Sequence, residues 1–302
     1  MILVDWRNVS HAAIAVAQAK GENVAATGAQ LLLGKIRNFN VDFREEFGEL
    51  VLCNDHISWR NRVFEHYKGQ RRLNRINNVD TDQLHPLHEV FDLIKDFWDK
   101  MVETGPFKCI KLKGAEADDI IAILARTPGK HIVVSADKDI SQLTRFKNVT
   151  YFNPIKKMKI DNGPDFWHYL VVRGDPGDGV PNILSDDDTF MVPGKRQRQL
   201  RQTVVDQIVN SADPEQEILS MKFSGIFSEQ VLKNYKRNKR LIDLTQIPSG
   251  LRDLVIEKSR ETVPQRDMMN MIMKLGVPFY ASKLHDFVPN TKIQATNLDD
   301  MF

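Results

Sequence analysis

The sequence has few cysteines and no long hydrophobic run, and each shortage excludes a class of protein. Its only cysteines are Cys53 and Cys109, and neither has a cysteine or histidine partner at a metal-binding spacing. We therefore expect reduced, buried thiols and no zinc site. No segment approaches the roughly 18 apolar residues of a membrane span, and the start, Met-Ile-Leu-Val-Asp, does not resemble a signal peptide. A cytoplasmic protein that does not bind membranes is expected.

The chain also lacks a large net charge, but its charges are unevenly distributed. The formal net charge is +2, yet residues 60 to 75 contain a single acid, Glu65, among many bases. Each basic cluster alone is as easily a solvated helix face, but acidic residues that gather elsewhere favour a cation-binding pocket beside a phosphate-binding surface. The bases of this segment are Arg60, Arg62, Lys68, Arg71, Arg72 and Arg75, and a later cluster contains Lys195, Arg196, Arg198 and Arg201.

Short β-branched runs alternate with helical patterns in the first half of the chain. This alternation is typical of an α/β fold with a mostly parallel central sheet and helices on both faces. We predict a catalytic α/β domain at 1–172, a smaller helical C-terminal lobe at 173–290 and a flexible tail at 291–302. The predicted strands are Ile2–Val4, Leu50–Cys53, Cys109–Leu112, Ile132–Ser135 and Val149–Phe152.

Acidic residues follow these strands in succession. Ligands of open α/β sheets bind at the carboxyl ends of the strands, and clustered carboxylates repel one another unless cations neutralise them. Oxygen ligands without His or Cys indicate Mg²⁺ or Mn²⁺, and two such ions about 3.5–4 Å apart can activate a water for phosphodiester hydrolysis. The candidate ligands are Asp5, Asp55, Glu116, Asp118, Asp119, Asp137, Asp139, Asp175 and Asp178.

These motifs, in this order and spacing, resemble the flap endonuclease/5′–3′ exonuclease family over about residues 1–185. The segments 234–236 and 241–248 are most similar to the phage ribonuclease H branch. The motifs are Ile-Leu-Val-Asp5, Asp55, Tyr67-Lys68-Gly-Gln-Arg71-Arg72, Glu116-Ala-Asp118-Asp119, Ser-Ala-Asp137-Lys-Asp139 and Gly-Asp175-Pro-Gly-Asp178-Gly-Val-Pro.

The resemblance implies a PIN-like core and a metal-dependent 5′ nuclease, with 5′–3′ exonuclease, flap endonuclease and ribonuclease H activity in primer removal. It implies two Mg²⁺ ions, with Mn²⁺ as a substitute, and no covalent nucleophile. By position, Asp5, Asp55, Glu116 and Asp118 form or support the first metal site, with Asp119 nearby. Asp137, Asp139, Asp175 and Asp178 surround the second, and Asp118 counts as catalytic.

The basic segment at about 57–85 matches the family's helical arch, under or through which a 5′ single strand passes. Lys68 and Arg71 would stabilise charge on the scissile phosphate. Tyr67 would stack on a base or, equally, pack at the foot of the arch. General phosphate contacts are expected from Arg60, Arg62, Arg72 and Arg75.

One segment departs from the family pattern. The family continues after Gly-Asp-x-x-Asp-x-Val-Pro into a helix–hairpin–helix with a Gly-Ile-Gly type turn, whereas here Asn182-Ile-Leu-Ser leads into three aspartates, 186–188. We interpret the aspartates as a solvated loop in a modified hairpin. The duplex would be held instead by Lys195, Arg196, Arg198 and Arg201.

The expected partners are DNA, RNA–DNA hybrids and 5′ flap or fork structures, bound by a monomer in the host cytoplasm if a phage encodes the chain. Leu298, Met301 and Phe302 resemble the short peptides that dock on a sliding clamp, although the tail could equally pack on its own lobe. A single-stranded-DNA-binding protein is a second candidate partner. Two rival functions remain at this point: a PIN-type ribonuclease and a non-catalytic DNA-junction-binding protein.

Overall fold

The computed structural model of the chain describes residues 1–21, 23–77, 85–264 and 266–288. Within these ranges the contacts define two compact units. The first unit contains residues 1–57, 85–161 and 248–288, and the second contains residues 58–77 and 162–247. No helix in these ranges is long and apolar enough to cross a membrane.

The secondary structure alternates as the sequence predicts, and the elements are numbered along the chain. The strands are β1 Ile2–Asp5, β2 Leu50–Cys53, β3 Lys108–Ile110, β4 His131–Val134, β5 Val149–Asn153 and β6 Met158–Lys159. The helices are α1 Trp6–Lys20, α2 Val24–Phe47, α3 Arg60–Val63, α4 Gly69–Asn77, α5 His85–Thr104, α6 Ala117–Leu124, α7 Phe166–Arg173, α8 Gln202–Val209, α9 Pro214–Ser220, α10 Ser228–Ile242, α11 Ser249–Arg260 and α12 Met268–Leu275. Short 3₁₀ helices lie at Lys138–Arg145, Pro176–Asp178 and Pro278–Phe287.

The sheet of the first unit has the strand order β3-β2-β1-β4-β5-β6. Strands β1 to β5 are parallel, and β6 pairs antiparallel with β5. Strands β1, β2 and β4 are buried along their whole length, which explains their continuous apolar sequences. The predicted α/β class with a mostly parallel sheet is therefore confirmed. Cys53 is buried, Cys109 is partly buried, and neither forms a disulfide.

The end of the chain departs from the predicted domain boundary. We expected residues 173–290 to form one helical lobe, but α11 and α12 belong to the first unit. Met271 and Ile272 of α12 are fully buried in the same core as Ile2 and Val4. A helical pattern shows which face is apolar but not which core will cover that face, so the boundary was not readable from the sequence.

The second unit is helical and has its own core. Val172, Val180 and Val205 are fully buried there. Phe64 and Tyr67, from the basic segment that is predicted to form the helical arch, are also buried in this core. The foot of that segment is therefore packed, and the part at 78–84 lies outside the described residues.

Candidate metal centre

Carboxylates gather at one edge of the sheet in the first unit. Asp5 is the last residue of β1, Asp55 follows β2 by two residues, and Asp137 follows β4 by three. Because the three strands are parallel neighbours in the sheet, their carboxyl ends meet at one edge. Glu116, Asp118 and Asp119 lie at the N-terminal end of α6.

Asp5 is held in place by two hydrogen bonds. Its Oδ1 accepts from the backbone N–H of Asn8 at 3.0 Å and caps α1. Its Oδ2 accepts from Ser135 Oγ at 3.0 Å. Burial, followed by the charge of Asp55, raises the pKa of Asp5 to about 7, because these hydrogen bonds offset only part of the cost of burying the charge.

Asp118 lies within electrostatic reach of four other carboxylates. Burial raises its pKa well above the ordinary value, and Asp137, Asp5, Asp55 and Glu116 raise it further. Like charges this close resist ionising together, so a bound cation or proton is needed to stabilise the group. The structure thus places five of the predicted ligands at one edge of the sheet.

Asp119 holds the backbone beside that cluster. It is fully buried, and its Oδ2 accepts from the backbone N–H of Glu116 at 3.0 Å. This bond fixes the first turn of α6, from which Glu116 and Asp118 project. Asp119 therefore positions its neighbours.

Asp55 has a basic partner that the sequence analysis missed. Its Oδ1 accepts from the backbone N–H of Ala117 at 2.7 Å, and its Oδ2 lies 3.3 Å from the Arg7 guanidinium. The same guanidinium lies over the ring of Phe91, 5.3 Å from its centroid. The available signal was a base only two residues after Asp5 at a strand end.

Asp137 and Asp139 occupy the turn after β4. Asp137 Oδ1 accepts from the Asp139 backbone N–H at 2.9 Å and so caps the 3₁₀ helix that follows. Asp139 forms an ion pair with Lys138 at 3.2 Å. Both side chains therefore have local structural partners in addition to their place near the sheet edge.

The donor chemistry of the cluster fits a hard divalent cation. In the described ranges no three acidic, histidine or cysteine side chains converge at ligand distance. Asp5, Asp55, Glu116 and Asp118 nevertheless offer only oxygen donors, the set that Mg²⁺ and Mn²⁺ prefer. These four residues fit an ion that would draw them together.

The second unit contains a separate charged cluster around Asp178. Its carboxylate pairs with Lys68 Nζ at 3.5 Å and with the Arg71 guanidinium at 3.1 Å, and it accepts from the Tyr67 hydroxyl at 2.8 Å. The Asp178 carbonyl also accepts from the Lys68 backbone N–H at 2.7 Å. The two motifs Tyr67–Arg72 and 174–181 are therefore joined. Asp175 accepts from the Gly177 N–H at 3.1 Å and shapes its own turn.

Two predicted DNA contacts of the 57–85 segment are corrected by burial. Arg60 is 3% exposed, donates from Nε to the Leu241 carbonyl at 2.6 Å and stacks on Trp59. Tyr67 is also 3% exposed, so it packs at the foot of the segment and its ring is not presented to a base. Of the other predicted contacts, Arg62 is exposed. Arg72 donates to the backbone carbonyls of Tyr67 and Glu65. The side chain of Arg75 lies outside the described residues.

The predicted replacement for the hairpin turn is also partly corrected. Lys195 pairs with Asp186 and Asp188, and Arg237 pairs with Asp187. The three aspartates are solvent-accessible, as expected for a solvated loop, and they also form ion pairs within the second unit. Lys195 is therefore engaged within the unit. Arg196, Arg198 and Arg201 are exposed, while Leu298, Met301 and Phe302 lie outside the described residues.

The sequence is similar to those of known nucleases. Ribonuclease H of Enterobacteria phage T4 is 25% identical over 276 residues, which cover 85% of this chain and 85% of that protein. Flap endonuclease Xni of Shewanella sp. strain MR-4 is 29% identical over 147 residues, 44% of this chain and 51% of that protein.

Solved structures share the fold at low sequence identity. A bacteriophage T5 flap endonuclease, in a pseudo-enzyme–product complex with DNA and metal ions, has a TM-score of 0.60 at 15% identity over 91% of this chain and 98% of that chain. The T5 5′-exonuclease with bound zinc has a TM-score of 0.59 at 15% identity over 91% and 97% of the two chains.

The sequence profile of the 5′-3′ exonuclease N-terminal resolvase-like domain matches residues 2–166. This match covers the whole sheet and every carboxylate of the cluster in the first unit. The chain therefore belongs to the 5′-3′ exonuclease family.

Proposed function

We propose that the protein is a Mg²⁺-dependent 5′ nuclease that removes 5′ flaps and RNA or DNA primers during DNA replication. The observation that carries this proposal is the placement of Asp5, Asp55 and Asp137 after three neighbouring parallel strands. Glu116 and Asp118 lie at the N-terminal end of α6, whose first backbone N–H, that of Ala117, donates to Asp55. A cluster of this kind is costly without cations, and its oxygen donors suit Mg²⁺. Relatives named ribonuclease H and flap endonuclease support the substrate class.

The residues of the first unit would hold two ions. Asp5, Asp55, Glu116 and Asp118 bind the first, while Asp137 and Asp139 contribute to the second. Bound ions would supply a polarised water and neutralise charge on the scissile phosphate. Asp119 and Arg7 would keep the ligands in position. Asp119 accepts a hydrogen bond from the Glu116 backbone N–H, and Arg7 forms an ion pair with Asp55. For Asp175 and Asp178 the metal role stays a prediction of the resemblance.

Lys68 and Arg71 would bind phosphate oxygens of the substrate. Both cations already face a carboxylate of Asp178, so their side chains are oriented before an anion arrives. A guanidinium or ammonium group has several N–H donors, so it can bind a phosphate oxygen while it remains paired with Asp178. Positioning of this kind lowers the cost of stabilising charge on the transferring phosphoryl group.

The wider setting completes the proposal. Mn²⁺ would replace Mg²⁺, since both accept oxygen ligands in similar geometry. The protein would act as a monomer in the host cytoplasm, on flaps and forks exposed by replication. A sliding clamp and a single-stranded-DNA-binding protein are the proposed partners, with residues 296–302 as the clamp peptide.

The test is cleavage of a 5′-labelled flap duplex with Mg²⁺, with EDTA, and by Asp118→Asn and Lys68→Ala variants. We expect short 5′ products that require Mg²⁺, loss of activity in Asp118→Asn, and a cleavage rate in Lys68→Ala that falls on the order of a hundredfold or more while binding persists. Lys95→Ala is the matched control, because Lys95 is an exposed lysine paired with Asp99 on α5.

The outcomes separate the rival functions. Tight flap binding without cleavage under any divalent metal would establish a junction-binding protein and overturn the nuclease. A preference for single-stranded RNA over the flapped duplex would indicate a PIN-type ribonuclease. Equal rates for the Lys68 and Lys95 variants would remove Lys68 from the catalytic machinery.

A further inference from the structure

Phe227 is the most exposed large hydrophobic side chain among the described residues. It is 83% exposed and directly precedes α10 in the second unit. Large apolar side chains are normally covered, and those that are not often mark a binding surface. Single exposed apolar residues are also common, so exposure needs support from the surroundings of the ring.

The backbone that carries Phe227 is firmly held. Phe223 and Ile226 form a β-bridge and pack against the core of the second unit. Gly225 between them has a φ of +69°, which an L side chain adopts only with strain. The Phe227 carbonyl accepts from the N–H groups of Gln230 and Val231 at 3.0 and 3.1 Å. A tight hairpin therefore presents the ring to solvent. The exposure of Phe227 does not result from a loose loop.

A guanidinium lies beside the tip of this hairpin. Arg198 donates from Nη1 to the Gly225 carbonyl at 3.0 Å, and its own backbone is fixed by Ser185 and Asn182. That bond uses one of the five N–H groups of the guanidinium, so others can bind an anion. Arg196, two residues before Arg198, and Lys222, three residues before Gly225, are also exposed.

We propose that Phe227 and Arg198 form a strand-binding surface, on which the ring stacks against an unpaired base and the guanidinium binds the adjoining phosphate. Charge alone does not explain the surface, because the exposed acid Glu229 follows Phe227 by two residues. An aromatic face beside an arginine is the combination used for single-stranded nucleic acid without sequence preference. The choice of nucleic acid as the partner rests on the proposed nuclease function.

The surface requires a base that is not stacked in a duplex. Base faces inside a helix are covered by their neighbours, so Phe227 would contact a flap, a gap or a frayed end. Binding of this kind would help select substrates that carry a single strand. A phenyl ring has no proton to transfer and no metal-binding atom, so Phe227 would be a specificity residue and not a catalytic one.

The experiment uses a 5′-flapped duplex with 2-aminopurine in the single strand, titrated with the full chain in EDTA. Stacking quenches 2-aminopurine, and anisotropy of a labelled strand gives the dissociation constant. We expect Phe227→Ala to lose the quenching and weaken binding by about fivefold to a hundredfold, and Phe227→Trp to retain both. Arg198→Ala should weaken binding and reduce the salt dependence by about one ion.

Phe279→Ala is the matched control. Phe279 is another exposed phenylalanine, 60% exposed and next to the cation of Lys283, but it lies in the first unit. Unchanged quenching and affinity in Phe227→Ala, or equal losses in both alanine variants, would overturn the proposal. Such a result with intact Mg²⁺-dependent cleavage would leave the nuclease function standing. Absence of cleavage by the native chain would instead remove the nuclease function. The strand-binding surface would then still stand or fall on the quenching and affinity of Phe227→Ala.

Discussion

Lys68 combines a proposed catalytic charge with a strained backbone. Its φ is +53°, in the left-handed region that costs a non-glycine residue about 1–2 kcal/mol. The backbone N–H bond from Lys68 to the Asp178 carbonyl and the side-chain pair to its carboxylate hold this conformation. Strain that persists in this way is often found at functional sites, which is consistent with the proposed role of the ammonium group.

Two variants separate the charge of Lys68 from its conformation. Lys68→Gly and Lys68→Ala both remove the ammonium group, so both should slow flap cleavage to the same extent. Only alanine retains the left-handed penalty, so we expect the glycine variant to be more stable than the alanine variant by about 1 kcal/mol. Urea denaturation measures the free energy of unfolding, and equal stability of the two variants would contradict the strain.

Residue identity alone did not reveal which bases face solvent. Arg60 and Arg62 are two positions apart in one basic run, yet Arg60 is buried against Leu241 while Arg62 is exposed. The partner of Arg60 is a carbonyl 181 residues away, and a local pattern contains no information about such a contact. The carboxylates were easier, because strand ends specify where they lie.

At the scale of elements, the loop 174–181 depends on glycines that let two segments approach. Gly179 has a φ of +75°, and a Cβ there would lie 2.8 Å from the His66 carbonyl. The close approach positions the Lys68 N–H for its bond to Asp178. A residue with a side chain at position 179 would therefore push apart the two motifs that carry Tyr67, Lys68 and Asp178.

We expect Gly179→Ala to destabilise the chain by more than the conformational penalty alone. Gly163 supplies the matched control, because its φ is +83° but nothing lies within 4 Å of a Cβ built there. Gly163→Ala should cost about 1–2 kcal/mol, and Gly179→Ala roughly 1–3 kcal/mol more because the loop must shift. Thermal unfolding and flap cleavage check this, and equal effects of the two substitutions would show that the contact with His66 is unimportant.

The elements themselves were largely predictable, and their grouping was not. The five predicted strands appear within about two residues of their expected bounds, because buried parallel strands need continuous β-branched runs. Strand β6 was missed, since Met158 and Lys159 are both exposed and have no apolar pattern. The helical character of the C-terminal region was predicted, but the place of α12 in the same core as Ile2 and Val4 depends on tertiary contacts that follow from the whole chain.

At the scale of the whole molecule, buried ionisable groups couple stability to pH in opposite directions. The folded pKa of Asp5 is about 7, above its ordinary value of 3.8, so its contribution to stability is present below about pH 4 and is lost as pH rises through 7. Burial lowers the pKa of the Met1 amino group to about 5 and that of His131 to about 4. Their contributions are lost as pH falls, so the raw pH profile mixes both effects.

The difference between native chain and Asp5→Asn isolates the carboxylate cluster. Without metal, the variant should be more stable at pH 8 by at most about 4 kcal/mol, the equivalent of the rise from 3.8 to about 7. This advantage should vanish below about pH 4, where Asp5 is protonated in both states. Mg²⁺ should stabilise the native chain more than the variant, because a cation replaces the proton that the cluster needs.

The control is Asp99→Asn, at an exposed aspartate paired with Lys95, which should show neither effect. If the stability advantage of Asp5→Asn were the same at pH 4 and pH 8, packing and not charge would distinguish the variant from the native chain.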